Sequence, residues 1–212
     1  MNISMRPNNY PGKLITFCGL DGSGKTTYIT KLAQCLKIRG YSCVVTRQPT
    51  NEVRKSSIFR TYMDQEDHSQ YEYRALSLYA ASDRLQHTEK YIVPHLLKGD
   101  IVISDRYYYS CLANLRARGY KEDQWIYEIG SFLVQPDVAI FLDVNVEKAI
   151  YRVRSRASES NRYIDVPLQY RLRDEYLEIA ESIGATVIST ENSEDDCFEQ
   201  LIVAIKRHGI NV

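Results

Sequence analysis

The chain has 212 residues, 44% of them hydrophobic and 25% charged, an ordinary globular balance and enough length to bury one full core, with or without a small lid. Its 27 basic residues offset 27 acidic ones, so no net field favours a nucleic-acid polymer or an anionic membrane. Five cysteines without a C-x-x-C pair suggest neither a disulfide framework nor a zinc site, and a reducing cytoplasm is the expected setting. No apolar run approaches a membrane span. The polar start, with Pro7, Asn8, Asn9 and Pro11, lacks the apolar core of a signal peptide; residues 1–12 are expected to be a loose leader before a single domain, 13–212.

Leu14 to Phe17 is short and apolar, with β-branched and aromatic members, and reads as a buried strand. Gly19-Leu20-Asp21-Gly22-Ser23-Gly24-Lys25-Thr26 then fits G-x-x-x-x-G-K-[ST], a loop whose glycines let phosphate oxygens meet successive backbone N–H groups. Lys25 is expected to reach the β- and γ-phosphates of ATP, and the Thr26 hydroxyl to sit on Mg²⁺. Ile29, Leu32, Ala33 and Leu36 recur at helical spacing within Thr27 to Arg39, so a helix N-terminus faces the nucleotide.

Further along, Ser42 to Thr46 reads as a second strand, with Arg47-Gln48-Pro49 at its end and a short helix at Glu52-Val53-Arg54-Lys55. Tyr71 to Leu97 is helical in composition, with a bend expected at Pro94. Ile101 to Ser104 is a strand closed by Asp105-Arg106-Tyr107, and Val138 to Leu142 another closed by Asp143. A carboxylate ending such a strand can stand beside Mg²⁺, and sequence favours neither Asp105 nor Asp143. Helices are expected over Leu112 to Arg118 and Asp123 to Val134. Val146 to Arg156 begins apolar and becomes basic, and a polar break runs from Ala157 to Arg162. Arginines flanking a mobile loop suit charge stabilisation on a phosphoryl group in transfer. Leu168 to Ile183, Ala185 to Ser189 and Asp196 to His208 complete the chain as helix, strand and helix. The βαβα order predicts an α/β fold: a five-stranded parallel sheet with helices on both faces, and an arginine-bearing lid over about 154–166.

Several short elements together resemble the thymidylate kinase family. They are Phe17-x-Gly19-x-Asp21-Gly22-x-Gly24-Lys25-Thr26-Thr27, Thr46-Arg47-Gln48-Pro49, Glu52-Val53-Arg54-Lys55, Ala80-Ala81-Ser82-Asp83-Arg84-x-Gln86-His87, Asp105-Arg106-Tyr107-x-x-Ser110 and Leu168-x-x-Arg171-Leu172-Arg173-x-x-Tyr176-Leu177. The resemblance implies the P-loop NTPase fold and a homodimer built on the helices around Tyr71 to His87 and Tyr107 to Arg118. It implies that Gly19 to Thr27 hold ATP and that Asp21 contacts the acceptor sugar and supports Arg106. Arg106 and Arg54 then grip the acceptor phosphate, Arg84 and Ser110 lie on the acceptor side, and Arg156 and Arg162 approach the donor phosphates. Ser23 stands where one branch of the family carries arginine, which is similar to the branch whose lid supplies the basic groups.

The base-reading positions depart from the pattern. Ala80 stands where the family stacks a phenylalanine, with Tyr79 as a substitute only in a shifted register, and Ala113-Asn114-Leu115 replaces A-Y-Q. The reading is an ATP- and Mg²⁺-dependent nucleoside monophosphate kinase with thymidylate as the leading acceptor. A P-loop kinase for another nucleotide, nucleoside or small acceptor, and a nucleotide-binding regulatory module, stay open at this stage.

Overall fold

The computed structural model describes residues 3–160 and 162–212; Asn161, inside the expected lid, lies outside them. Strands β1 (Lys13–Cys18), β2 (Cys43–Arg47), β3 (Ile101–Asp105), β4 (Val138–Asp143) and β5 (Thr186–Ser189) form one parallel sheet in the order β2-β3-β1-β4-β5. The helices are α1 (Lys25–Ile38), α2 (Asn51–Arg54), α3 (Ser57–Asp64), α4 (Tyr73–His87), α5 (Val93–Leu97), α6 (Tyr108–Ala117), α7 (Gln124–Gly130), α8 (Val146–Arg154), α9 (Val166–Ser182) and α10 (Glu194–Arg207). This is the α/β architecture that the strand and helix order predicts.

Side chains alternate across the sheet as a period of two requires. Leu14 and Cys18 of β1 join the core beneath α6 and α9, with Leu112, Leu172 and Tyr176. Ile15 and Phe17 join the opposite core beneath α1 and α10, with Ile29, Leu32, Leu201 and Ile205. Register aligns the strand ends: Phe17 lies opposite Asp105, and Asp105 opposite Arg47. The phosphate loop, Arg47 and Asp105 therefore leave the sheet side by side at its carboxyl edge, where open parallel sheets bind ligands.

Three local features differ from the sequence-based expectation. The stretch 71–97 is helical from Tyr73 to Leu97, but a π turn at Thr88–Ile92 interrupts it between α4 and α5, just ahead of Pro94. Helix α3 was not expected; the Ser56 side chain accepts from Phe59 N and starts it. The helix expected to Val134 stops at Gly130, because Val134 pairs as an isolated parallel bridge with Arg6.

That bridge also bears on the N-terminal segment, expected to be a loose leader. Arg6 N donates to Leu133 O at 2.9 Å, Gln135 N to Arg6 O at 2.7 Å, and Arg6 Nη2 to Glu89 at 2.7 Å. Asn8 Nδ2 donates to Asp137 at 2.5 Å, while Ile3, Met5 and Tyr10 pack on the core. Among the described residues, no helix is long and apolar enough to cross a membrane.

Candidate active site

Where β1 ends, the chain turns so tightly that side chains are excluded. A Cβ on Gly22 (φ 87°) would lie 2.3 Å from Ala149 O, and one on Gly19 (φ 134°) 2.3 Å from Leu142 O, so only glycine fits. Gly24 leads into α1, whose first turn carries no acidic residue, and Thr26 and Thr27 are exposed there. Ser23 is fully buried with an unpartnered hydroxyl. Lys25 folds back over the loop, donating from Nζ to Leu20 O at 2.7 Å and to Gly19 O at 3.1 Å. Burial lowers its ammonium to about 7, with repulsion from Arg106 adding to the effect. A helix N-terminus, a glycine loop and a buried cation together make a polyphosphate cradle.

Beside the cradle opens a cavity of about 210 Å³, walled by Asp21, Arg47, Arg54, Arg84, Arg106 and Ser110 among others. Arg106 has a left-handed backbone, φ 68°, held by its N–H donating to Phe17 O at 2.9 Å. Its guanidinium pairs with Asp21 and donates to the Tyr176 hydroxyl at 2.9 Å. Burial pushes the Asp21 carboxyl up, but Arg106, Lys25 and Arg162 outweigh it and hold the carboxyl well below its ordinary range. Arg54 is lowered, first by burial and then by the neighbouring charges of Arg47 and Arg106. Cations crowded around an open space, Arg54 at a cost to its own charge, give that space a field that suits an anion.

Arg84 lies buried in the wall, donating to Ala80 O at 2.8 Å and to Tyr107 O at 3.4 Å. Ser110 lines the cavity, its hydroxyl 3.7 Å from Cys18 Sγ. Tyr79, expected on the acceptor side, does not line the cavity: it is 42% exposed, with its hydroxyl 3.4 Å from Glu52 O. The helical period turns Ser77 and Ala80 inward instead. Aromatic rings still face this end of the cavity, supplied by Phe59 and Tyr62 of α3 and Tyr73 of α4. The sequence reading missed them, although Phe59, Tyr62 and Met63 carry helical spacing after a capping serine.

Two members of the A-x-x-D-R-x-x-H stretch have supporting roles. Asp83 accepts from Thr50 N at 2.7 Å and from its hydroxyl at 2.5 Å. The His87 ring meets Thr46 Oγ1 at 2.9 Å and Gln48 Nε2 at 3.0 Å. Together they fix the loop that carries Arg47 to the cavity.

The two strand-ending carboxylates are in different states. Asp143 is held bidentate by Arg173, at 2.7 and 2.8 Å. Asp105 keeps one oxygen buried without a partner, while the other lies 3.4 Å from Arg47 Nε. An orphaned carboxylate oxygen and an exposed threonine hydroxyl are the kinds of donor that suit a hard divalent cation.

In the lid, Arg162 reaches down to Asp21 at 2.9 Å, and Arg156 pairs with Glu159 at 3.2 Å; both line the cavity. Arg152, outside the expected site, donates to Gly22 O at 3.2 Å and to Thr190 O at 3.1 Å, tying α8 to the phosphate loop.

A family model described as thymidylate kinase matches residues 17–201, from the end of β1 into α10. Curated relatives agree over most of their length. The chain is 36% identical to a probable thymidylate kinase of Pyrococcus horikoshii over 93% of this chain and 97% of that one. It is 31% identical to a thymidylate kinase of Geobacillus sp. over 92% and 96%, and 38% identical to that of Desulfotalea psychrophila over 74% and 76%. The chain belongs to the thymidylate kinase family. As a member of the thymidylate kinase family it is a nucleoside monophosphate kinase drawing on ATP, and its parallel sheet and phosphate loop are those of a P-loop kinase.

Proposed function

We propose that the chain transfers the γ-phosphoryl group of ATP to the phosphate of thymidylate, with the two nucleotides meeting between the glycine loop and the arginine cluster. The observation that carries this reading is the trio Arg47, Arg54 and Arg106 lining a cavity directly beside the Lys25 cradle. Among the described residues, no carboxylate pairs with Arg54.

In this reading Gly19 to Thr27 wrap the donor phosphates, with Lys25 on the β- and γ-groups. Arg54 and Arg106 hold the acceptor phosphate, Asp21 keeps Arg106 aimed and meets the sugar, and Arg84 and Ser110 form the wall on the base side. Arg156 and Arg162 close over the donor from the lid. Thr26 and the unpartnered oxygen of Asp105 would hold Mg²⁺, and the ion would supply charge neutralisation to the phosphate oxygens. An acceptor phosphate is already anionic and needs no general base, so these residues act by positioning and by charge neutralisation.

A reducing, cytoplasmic setting suits the free cysteines Cys18, Cys35, Cys43, Cys111 and Cys197. A homodimer is part of the reading, on the exposed apolar pair Leu78 and Tyr79 of α4; α6 is buried within the chain over most of its length. The deciding assay supplies ATP and Mg²⁺ with a panel of nucleoside monophosphates and nucleosides. Thymidylate turnover supports the reading; turnover of nucleosides alone sinks it. Sedimentation in the same buffer tests the dimer.

A further inference from the structure

Two distant elements hold the Arg106 guanidinium. Asp21 of the phosphate loop pairs with Nη2, and from α9 the Tyr176 hydroxyl accepts from Nη1 at 2.9 Å. Gly19 O takes a longer bond from the same nitrogen, at 3.3 Å. Among the described residues Nε has no acceptor, which leaves an N–H for a ligand of the cavity that Arg106 lines. The Arg106 backbone is left-handed, φ 68°, a conformation that a non-glycine residue keeps only where its surroundings over-determine it. Tyr176 is itself fixed: it is 3% exposed, and its ring meets that of Phe141 edge-on, with centroids 6.1 Å apart. Burial pushes its phenol up to about 12, so the hydroxyl stays neutral at working pH.

We propose that Tyr176 is a positioning residue for phosphoryl transfer, its hydroxyl aiming the Arg106 guanidinium at the acceptor phosphate without neutralising it. This rests on the reading given above, in which Arg106 holds that phosphate. An arginine side chain is rich in rotamers, and those it gives up on binding weaken the contact. Partners that fix the fork beforehand remove that cost and set the line of approach of the phosphate. The chemistry of the second partner matters as much as its place. Asp21 already offsets the charge of Arg106, and a second carboxylate would leave the group net negative, repelling the phosphate. A phenol accepts the same hydrogen bond and brings no charge. Its place is in α9, the helix that follows the lid, while Asp21 also receives Arg162 from the lid. The acceptor arginine is thus braced between the loop that wraps the donor and the helix on which the lid ends.

Tyr176→Phe tests this, because it keeps the buried ring and removes only the hydroxyl. With saturating ATP, its kcat/KM for thymidylate is expected to fall about 10-fold, the loss of one hydrogen bond to a charged group. The KM for ATP stays within about twofold, since Lys25 and the glycine loop keep their partners. A tyrosine that served packing alone would lower the melting temperature and leave the thymidylate constants where they were. A second arm asks whether the phenol acts through the arginine. Calorimetry without ATP measures thymidylate affinity in Tyr176→Phe, Arg106→Lys and the double variant, so that an inactive protein is still scored. Lysine lacks the fork that spans Asp21 and Tyr176, so removing the hydroxyl in that background is expected to change affinity by less than about twofold. Unchanged thymidylate constants in Tyr176→Phe overturn the proposal, as does a loss of equal size with Arg106 and with lysine in its place. A wild type that phosphorylates no nucleoside monophosphate overturns the kinase reading beneath it, and wild type alone tells the two failures apart.

Discussion

Arg162 of the lid and Asp21 of the phosphate loop, 141 positions apart in the chain, meet at 2.9 Å over the mouth of the cavity. Asp21 already pairs with Arg106, so one carboxylate holds two guanidiniums. Phosphate oxygens entering between them compete for both; Arg162 lies outside helix and strand, whereas the Arg106 backbone is tied to Phe17 O. Arg162→Ala and Arg156→Ala are accordingly expected to lower kcat, by about 10²- to 10³-fold for Arg162, while raising the KM for ATP far less. Steady-state kinetics check this; an unchanged kcat in both variants would make 154–166 a plain surface loop.

Lys25 supplies a prediction in pH. Burial holds its ammonium near 7, so at pH 8 the ligand-free lysine is mostly neutral. Bound phosphates stabilise the charged form and raise the pKa. ATP binding at pH 8 is therefore expected to take up close to one proton, and at pH 6, where Lys25 is already charged, to take up none through this group. Calorimetry in buffers of different ionisation enthalpy reads the uptake directly. Lys25→Met should abolish it together with turnover, and equal uptake at the two pH values would place the proton elsewhere.

Arg54→Ala separates the two nucleotides. Its guanidinium belongs to the acceptor end of the site, with a cation–π contact to Phe59 at 5.6 Å. Losing a charge-assisted bond to a phosphate costs about 1.5–3 kcal/mol, so acceptor affinity should fall by about 10- to 100-fold, with ATP affinity nearly untouched. Separate titrations of each nucleotide decide it. A variant that loses ATP and keeps thymidylate would show that the arginine had been assigned to the wrong substrate.

The donor half of the site was far more legible in the sequence than the acceptor half. A phosphate cradle is made by backbone, so its glycines, Lys25 and Thr26 must follow one another in the chain, and the motif records them. The sheet was legible for a related reason: Leu14 to Phe17 and Val138 to Leu142 are buried on both faces and read as continuous apolar runs. The acceptor pocket is assembled from α3, α4, α6 and the lid, and no local pattern says that Tyr73 will face Arg118. Tyr79 was a substitute for the family's phenylalanine at Ala80 only in a shifted register, and the single helical step of about 100° between them sends it to solvent. Likewise, what sets Asp143 apart from Asp105 is its pairing with Arg173, a residue 30 positions downstream.

Ala80→Phe tests the width of the acceptor pocket. Ala80 is 7% exposed on the cavity wall, and a phenyl ring there has the cavity to enter. Thymidylate is expected to be phosphorylated with poor selectivity by the wild type. In the variant, kcat/KM should rise for thymidylate relative to purine and bulky pyrimidine monophosphates by about tenfold or more, a mismatch of a methylene or two in an apolar pocket. A wild type that already prefers thymidylate a thousandfold would refute the idea of a widened pocket.

Gly22 approaches the backbone of Ala149 so closely that no side chain fits between them, and Arg152, one turn further along α8, bonds to the Gly22 carbonyl. The phosphate loop and the stalk of the lid are thus a single casting, although 130 positions separate Gly22 from Arg152. Anyone exchanging lids between relatives inherits that constraint. A graft cut after Val153 moves the arginines and leaves the casting whole, whereas a graft cut before Val146 carries half of the joint away and has to bring its own phosphate loop with it.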